Sequence, residues 1–532
     1  MARANRNAGS YPERKKAAMY AQTDIWQTRI ARLLVVVLMC VHPLYFTSDR
    51  YLWLTSDKYV FFEICMLVVL LATIIVWISR IARKPKLLPQ DRMYLADWAI
   101  LGFALVTLLS TILSPYREVT DVWGGLYERH DGAVTQLLYV AVFFVVSRWY
   151  KPRELDFAFF GISAVLVALI GILQFYGVDF LKLWPNDDPQ YHVENFYNIF
   201  FRSTLGNVDI VSAYVCVSML LSGFLFIRMK SNWRPLWLGA SALNFWLMEL
   251  ADADSGRVGL ILVMVLAMPF IVENRKTLAK TLILASSWVA VYTMQLLFYD
   301  TLTLKTKTFG GLIPYFAAFA VLVAAGLFLL DWDLKHDQDS GPDVRAKWKL
   351  GIIIIAACVV VGIVGVEFLG KRYKDSGNYN VVYELREILH GNVKDEFGNK
   401  RVYIWRNALD GFKKNPIIGS GPDTFPNAFP QEAQGFYGEN YENAHNEYIQ
   451  ILVCQGILGL VCYLTLIVGL LVKSTPQAFK NPLIMAIMAA FAGYCIQAFF
   501  NLSVPIVAPI LWVFAGLLAS KRVRETTQMA ML

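Results

Sequence analysis

Stretches of about 20 apolar residues recur from Leu33 almost to the end of this chain, with no soluble domain between them. A segment of that length crosses the hydrocarbon core of a bilayer, and no soluble core helix needs so many such blocks in succession. The expected class is an all-α, polytopic integral membrane protein. Candidate spans run at about 31–46, 59–79, 96–114, 133–147, 156–176, 208–227, 235–251, 258–273, 281–298, 311–330, 350–369, 446–472, 483–500 and 506–520, giving about fourteen helices.

Charge supplies the orientation. Lys and Arg cluster at alternate ends of the spans: Arg80, Arg83, Lys84 and Lys86; Arg148, Lys151 and Arg153; Arg228, Lys230 and Arg234; Arg275 and Lys276; Lys521, Arg522 and Arg524. Such clusters mark cytoplasmic ends, and an even span count puts both termini in the cytoplasm. The net charge of +8 therefore orients helices and is no sign of nucleic-acid binding. The seven cysteines lie inside apolar runs, without the spacing of a metal site or a disulfide framework.

The predicted organisation is a cytoplasmic tail over 1–32, spans one to eleven over 33–369, a long outer loop over 370–445, three spans over 446–520 and a second cytoplasmic tail over 521–532. The loop is several times longer than its neighbours, and loops of that length usually carry function. Within it, VYIWRNALDGF puts Val402, Trp405, Leu409 and Phe412 on one helical stripe, with Arg401, Arg406 and Asp410 on the polar side. That pattern predicts an amphipathic helix packed on the membrane domain or lying at its interface.

The loop ends in NAHNEYIQILVCQGILGL. With Asn443 as helix cap, His445 falls in the first turn, where the positive helix end favours a neutral imidazole able to accept a proton. Gly456 and Gly459 fall near the same stripe, so that a neighbouring helix could approach closely. An interfacial His and glycines that serve packing alone remain the alternative.

Three arginines at outer ends run against the positive-inside bias: Arg129 in WGGLYERHDG, Arg202 in FRSTLGN and Arg257 in DADSGRVG. Guanidinium groups there suit bidentate binding of phosphate or carboxylate. Local pairing is the competing reading, Arg257 with Asp252 or Asp254 and Arg129 with Glu128 or Asp131. Neither a GxxxxGK[ST] loop nor a strand-to-helix GxGxxG is present, and the outer carboxylates form no spaced metal set, so a reaction without metal or nucleotide cofactor is expected.

His445, Asn446, nine intervening residues and then Gly456-Ile-Leu-Gly459 resemble the H-[NSQ]-x9-G-x-x-G signature of the O-antigen ligase family. In the same order as in that family come R-x-x-x-G-N at Arg202, Gly206 and Asn207, a span starting at Ser255 and Arg257, and RVYIWRNALDGFKKNPIIGSGPDTF. The resemblance covers about Trp123 to Gly459. DADSGR stands where the family more often has S-x-S-R, which leaves the role of Ser255 open while Arg257 fits.

The resemblance implies a GT-C-like enzyme of the bacterial cytoplasmic membrane, taking a glycan from an undecaprenyl-pyrophosphate carrier to an acceptor hydroxyl with inversion. His445 would be the base, Arg202 and Arg257 the pyrophosphate ligands, and Arg129, Arg401 and Asn446 further substrate contacts. The acceptor, whether glycan, lipid or protein, stays open, so polysaccharide polymerase and protein O-oligosaccharyltransferase are alternatives. A flippase or transporter would place its ionisable residues near midplane in repeated halves, and no repeat is visible. A non-catalytic scaffold would tolerate loss of His445.

Overall fold

A computed structural model describes residues 25–81, 93–126, 129–183, 203–298, 308–335, 344–375 and 380–525. Arg202, Glu128, Arg83, Lys84, Lys86 and most of the two predicted tails lie outside the described residues. Among those residues there are helices and no strand.

In chain order the helices are α1 (Ile25–Leu44), α2 (Leu54–Ile81), α3 (Leu95–Ile112), α4 (Ala133–Trp149), α5 (Glu154–Phe175), α6 (Val208–Arg228) and α7 (Arg234–Ala251). There follow α8 (Asp254–Leu266), α9 (Met268–Ile271), α10 (Arg275–Phe298), α11 (Phe309–Lys335) and α12 (Val344–Asp375). The loop contributes α13 (Val381–Leu389), α14 (Arg401–Lys414) and α15 (Phe425–Ala428), and the chain closes with α16 (Glu447–Ala478), α17 (Pro482–Gln497), α18 (Ala508–Ala519) and α19 (Lys521–Glu525).

Helix occupies each of the fourteen predicted segments, yet the count of fourteen spans is not confirmed. Among the described residues, 10 helices are long and apolar enough to cross a membrane. The shortfall is one of length and polarity. The 12 residues of α18 reach only about 18 Å at 1.5 Å each, and α8 stops after 13 residues. In α7, Arg234, Asn244 and Glu249 dilute an 18-residue helix. The protein is a multi-pass membrane protein.

The hub is α6, with 94% of its apolar window buried against protein. Ser212, Ala213, Cys216, Ser218 and Ser222 keep that helix slim, so that α5, α7, α8, α10 and α17 all pack on it. α8 approaches closely at Gly259, where a β-carbon would lie 2.9 Å from Cys216 Sγ and 3.1 Å from the Gly493 carbonyl of α17. At the other extreme, none of the apolar window of α12 is buried and only 11% of that of α11, so these two helices present their side chains to lipid.

The long loop has a small core of its own. Tyr403, Ile404, Ala408, Phe425, Phe429, Tyr441 and Ala444 cluster with Val453 and Cys454 of α16. The buried face of α14 is thus rotated from the predicted stripe: Leu409 is exposed, while Tyr403, Ile404, Ala408 and Gly411 face inward. Docking against α15 and α16 selected that face, because the loop core sits to one side of the helix.

Gly259→Val should overpack the α6–α8–α17 contact and destabilise the fold by about 1–3 kcal/mol. The measurement is the thermal unfolding midpoint of purified protein. An unchanged midpoint would contradict the close approach.

Candidate functional site

Helix α16 does not run straight from its start. At Gly456 the backbone turns to φ 67°, ψ −172°, a conformation open essentially to glycine alone, and the helix breaks. The break frees backbone groups on both sides, and the loop segment 416–421 takes them up. Ser420 N donates to Val453 O (3.0 Å) and Gly421 N to Cys454 O (2.9 Å), while Ile457 N and Leu458 N donate to Pro416 O (2.9 Å) and Ile417 O (3.2 Å). Backbone meets backbone so closely that a β-carbon on Gly419 would lie 2.3 Å from the Cys454 carbonyl carbon, and one on Gly456 would lie 2.4 Å from Ile417 O. The Gly456 position therefore serves a loop docked into a helix break, not the helix-on-helix stripe expected. Gly459 does face a helix, with Val106 of α3 in reach of a β-carbon.

This docking fixes the start of α16. The cap is Asn446, whose side chain accepts from Tyr448 N (3.0 Å) and Ile449 N (3.1 Å), so His445 precedes the cap and does not occupy the first turn. His445 sits at φ 45°, in the left-handed region that costs a side-chain-bearing residue about 1–2 kcal/mol. Its neighbours hold it there. Asn443 Oδ1 accepts from His445 N (2.9 Å), Gln450 Oε1 accepts from Ala444 N (3.1 Å), and Trp405 Nε1 donates to Ala444 O (2.9 Å). Among the described residues the imidazole itself has no hydrogen-bond partner.

The imidazole opens onto a cavity of about 350 Å³. Its walls come from the start of α2 (Tyr51, Trp53, Thr55 and Ser56), the start of α6 (Gly206, Asn207 and Asp209), the approach to α16 (Glu442 and Asn443), the turn before α18 (Asn501 and Leu502), and Arg129. Three helix N-termini thus meet at one polar cavity, and their dipoles favour an anion there. Lys58, fully buried in α2, donates to His42 O (2.7 Å) and Pro43 O (2.9 Å) and ties the start of α2 to the unwinding end of α1.

Each predicted residue has its place. Arg129 lines the cavity and is nearly buried; its Nε donates to Asp423 Oδ1 (3.0 Å) and its Nη1 to Glu442 O, while of the two predicted partners Asp131 makes no ion pair with it among the described residues and Glu128 lies outside them. Asp423 Oδ2 accepts from Leu126 N (2.6 Å), which clamps the arginine loop to the long loop. Arg401, at the start of α14, acts on the charge of His445 and makes no ion pair among the described residues. Arg257 does not line the cavity. Its guanidinium is shared by Asp252 (2.7 Å), Glu249 (3.1 Å) and Asp254 (3.3 Å). Arg202 lies outside the described residues, although Gly206 and Asn207 of the same motif form part of the wall.

Burial, followed by the positive charges of Arg401 and Arg129, lowers the His445 pKa from its ordinary value, with Asp209 and Glu439 opposing. Burial likewise raises Asp423, against the pull of Arg129. The imidazole therefore stays neutral and basic near pH 7.

Residues 312–464 match the family model described as O-antigen ligase. In that stretch the chain is similar to O-antigen ligases. No curated protein matches the chain. The matched stretch contains Arg401, Asp423, His445, Asn446, Gly456 and Gly459. The matched stretch leaves out Arg129, Arg202 and Arg257, so Arg129 joins the site on geometry alone.

Sequence reasoning missed Asp423 and His130. Asp423 stands in GSGPDTF and His130 beside Arg129, so both lay in segments already singled out. Ser56 Oγ lies 2.9 Å from His130 Nε2, and Tyr59 stacks on that ring at 4.3 Å. Nothing in the sequence points to Ser56, Tyr51 or Asn501, which reach the cavity only through packing.

Gly456→Ala should destabilise the fold by about 1–3 kcal/mol through backbone strain alone, and should lower glycan-transfer activity with it, because the His445 segment hangs on the docked loop. A denaturation midpoint and a transfer assay check both. Wild-type values in either would contradict the backbone account.

Proposed function

We propose that this enzyme transfers a glycan from an undecaprenyl-pyrophosphate carrier to an acceptor hydroxyl on the outer face of the cytoplasmic membrane, with inversion. The observation that carries the reading is His445, whose imidazole has no hydrogen-bond partner among the described residues and faces a cavity lined by Arg129 and ringed by helix N-termini, within the stretch similar to O-antigen ligases.

In this reading the acceptor hydroxyl attacks the anomeric carbon while His445 accepts its proton. The bond from that carbon to the phosphate oxygen breaks on the opposite face, and the carrier leaves as the pyrophosphate. Charge that builds on the leaving oxygen is met by donors already in place, so the transition state gains more than the ground state. Arg129 and the helix N-termini supply that field from the cavity floor. Arg202 and Arg257 complete the cradle in the proposal, with Arg257 exchanging carboxylate partners for phosphate oxygens as the donor binds. Only 17% of the apolar window of α2 is buried, so a polyprenyl tail can lie along that helix and present its headgroup to the wall formed by Tyr51 to Ser56.

The acceptor side is a second opening of about 710 Å³ that shares Glu442 with the His445 cavity and is lined by Asn427, Gln431, Gln434, Asn440 and Tyr441. Amide and phenol groups suit an uncharged, hydroxyl-rich acceptor more than a phosphate.

With purified enzyme, lipid-linked oligosaccharide and acceptor, His445→Ala should slow carrier release by about 10²- to 10⁴-fold. Equal rates for wild type and variant would remove His445 from the chemistry. The acidic limb of the kcat/KM profile should lie below the ordinary imidazole value, since the base works unprotonated and its pKa is lowered. Removing a positive neighbour raises an imidazole pKa, so Arg401→Gln should move that limb to higher pH. A limb unmoved in pH profiles of both proteins would separate Arg401 from His445.

A further inference from the structure

Arg129 faces two spaces at once. Besides the His445 cavity it lines a small chamber of about 30 Å³, together with residues of α3, α4, α16 and the turn before α18. Four chamber residues each carry one solvent-shielded polar atom without a hydrogen-bond partner among the described residues: Arg129 Nη2, Tyr139 Oη, Glu447 Oε2 and Gln455 Oε1. All four residues are more than nine-tenths buried, with exposures of 7%, 2%, 4% and 1%.

Their remaining polar atoms are committed. Tyr463 donates to Glu447 Oε1 (2.5 Å), with Tyr494 also facing that carboxylate, and Gln455 Nε2 donates to Gln136 Oε1 (2.6 Å). The amide orientation of Gln455 follows from its neighbour. Gln136 Nε2 donates to Asp131 O (3.2 Å), which leaves the Gln136 oxygen to accept from Gln455 and turns the Gln455 oxygen toward the chamber.

The unmet groups are therefore two donors, a guanidinium N–H and a phenol O–H, and two acceptors, a carboxylate and an amide oxygen. A buried cation would answer the acceptors and face the guanidinium unfavourably; an anion would answer the donors and meet Glu447. One small neutral molecule offers two donors and two acceptors, and a space of about 30 Å³ exceeds the roughly 10–15 Å³ that such a molecule needs. We propose that this chamber binds one structural water, held by Arg129, Tyr139, Glu447 and Gln455. The water keeps Arg129 and Glu447 apart as a bridged pair, so the guanidinium is not drawn into a direct ion pair with Glu447 and stays turned to the His445 cavity. Tyr139 and Gln455 are then positioning residues that act through Arg129. This functional part rests on the reading that Arg129 meets the donor pyrophosphate.

The test uses the full-length protein. X-ray radiolytic footprinting modifies side chains beside bound water even where bulk solvent is excluded, so Tyr139 should be modified in wild type and protected in Gln455→Leu. A high-resolution map should show a density peak within hydrogen-bond distance of the four atoms. Tyr139→Phe, which keeps the ring and removes one donor, should raise KM for the lipid-linked donor by about 2- to 10-fold with kcat retained. A map that resolves other internal waters and shows no peak here overturns the proposal, as does a Tyr139 equally protected in both proteins. If the water is present but Arg129→Lys leaves the donor KM unchanged, the water site stands and the pyrophosphate reading of Arg129 falls. If the water is absent while Arg129→Lys raises KM, that reading stands and the water proposal falls.

Discussion

Four backbone hydrogen bonds between the loop segment 416–421 and the broken turn of α16 hold the site together. A helix end buried in a membrane protein has no water to satisfy it, and each unmet backbone group costs several kcal/mol. At Gly456 the protein opens a helix within its apolar run and satisfies the exposed groups with another piece of its own backbone. That exchange also anchors the long loop. Once PIIGSG is seated, Pro422 and Asp423 follow directly, and Asp423 reaches Arg129 and the Leu126 amide on the far side. One glycine conformation thus connects the loop, the histidine and the arginine.

The electrostatics of the cavity follow from the same seat. The N-termini of α2, α6 and α16 point to one space, and Arg129 closes its floor. Burial first, and then the charges of Arg401 and Arg129, lower the His445 pKa and keep the imidazole neutral and able to accept a proton. Of the nearby acidic residues, Asp209 and Glu442 line the cavity itself, and others are tied up in pairs. Glu249, Asp252 and Asp254 surround Arg257, and Asp423 is tied to Arg129 and a backbone amide.

The two ends of the bundle differ in how their helices pack. Around α6 and α17, small residues let helices interlock on all sides. At α12, and on most of α11 away from its contact with α10, the side chains turn outward. The stretch similar to O-antigen ligases starts in α11, but its His445 end is placed by α3, α4 and the loop core, which belong to or touch the tightly packed half.

Apolar runs announced the helices because a bilayer imposes one length and one backbone solution on any span, and helix is found in all fourteen segments. The number of full spans was not legible, since α8 and α18 end after 13 and 12 residues. His445 and its flanking motif stood out because its chemistry is carried by neighbouring residues in the chain. The roles of Gly456, Asp423 and Ser56 did not. A positive φ, an ion pair across 294 positions and a wall built from helix starts are relations between distant segments. The sequence by itself determined a helical membrane protein with a histidine at the end of its long loop. Tertiary structure decided which arginine stands beside that histidine, because only the docked backbone brings Arg129 to the cavity and leaves Arg257 with its own carboxylates.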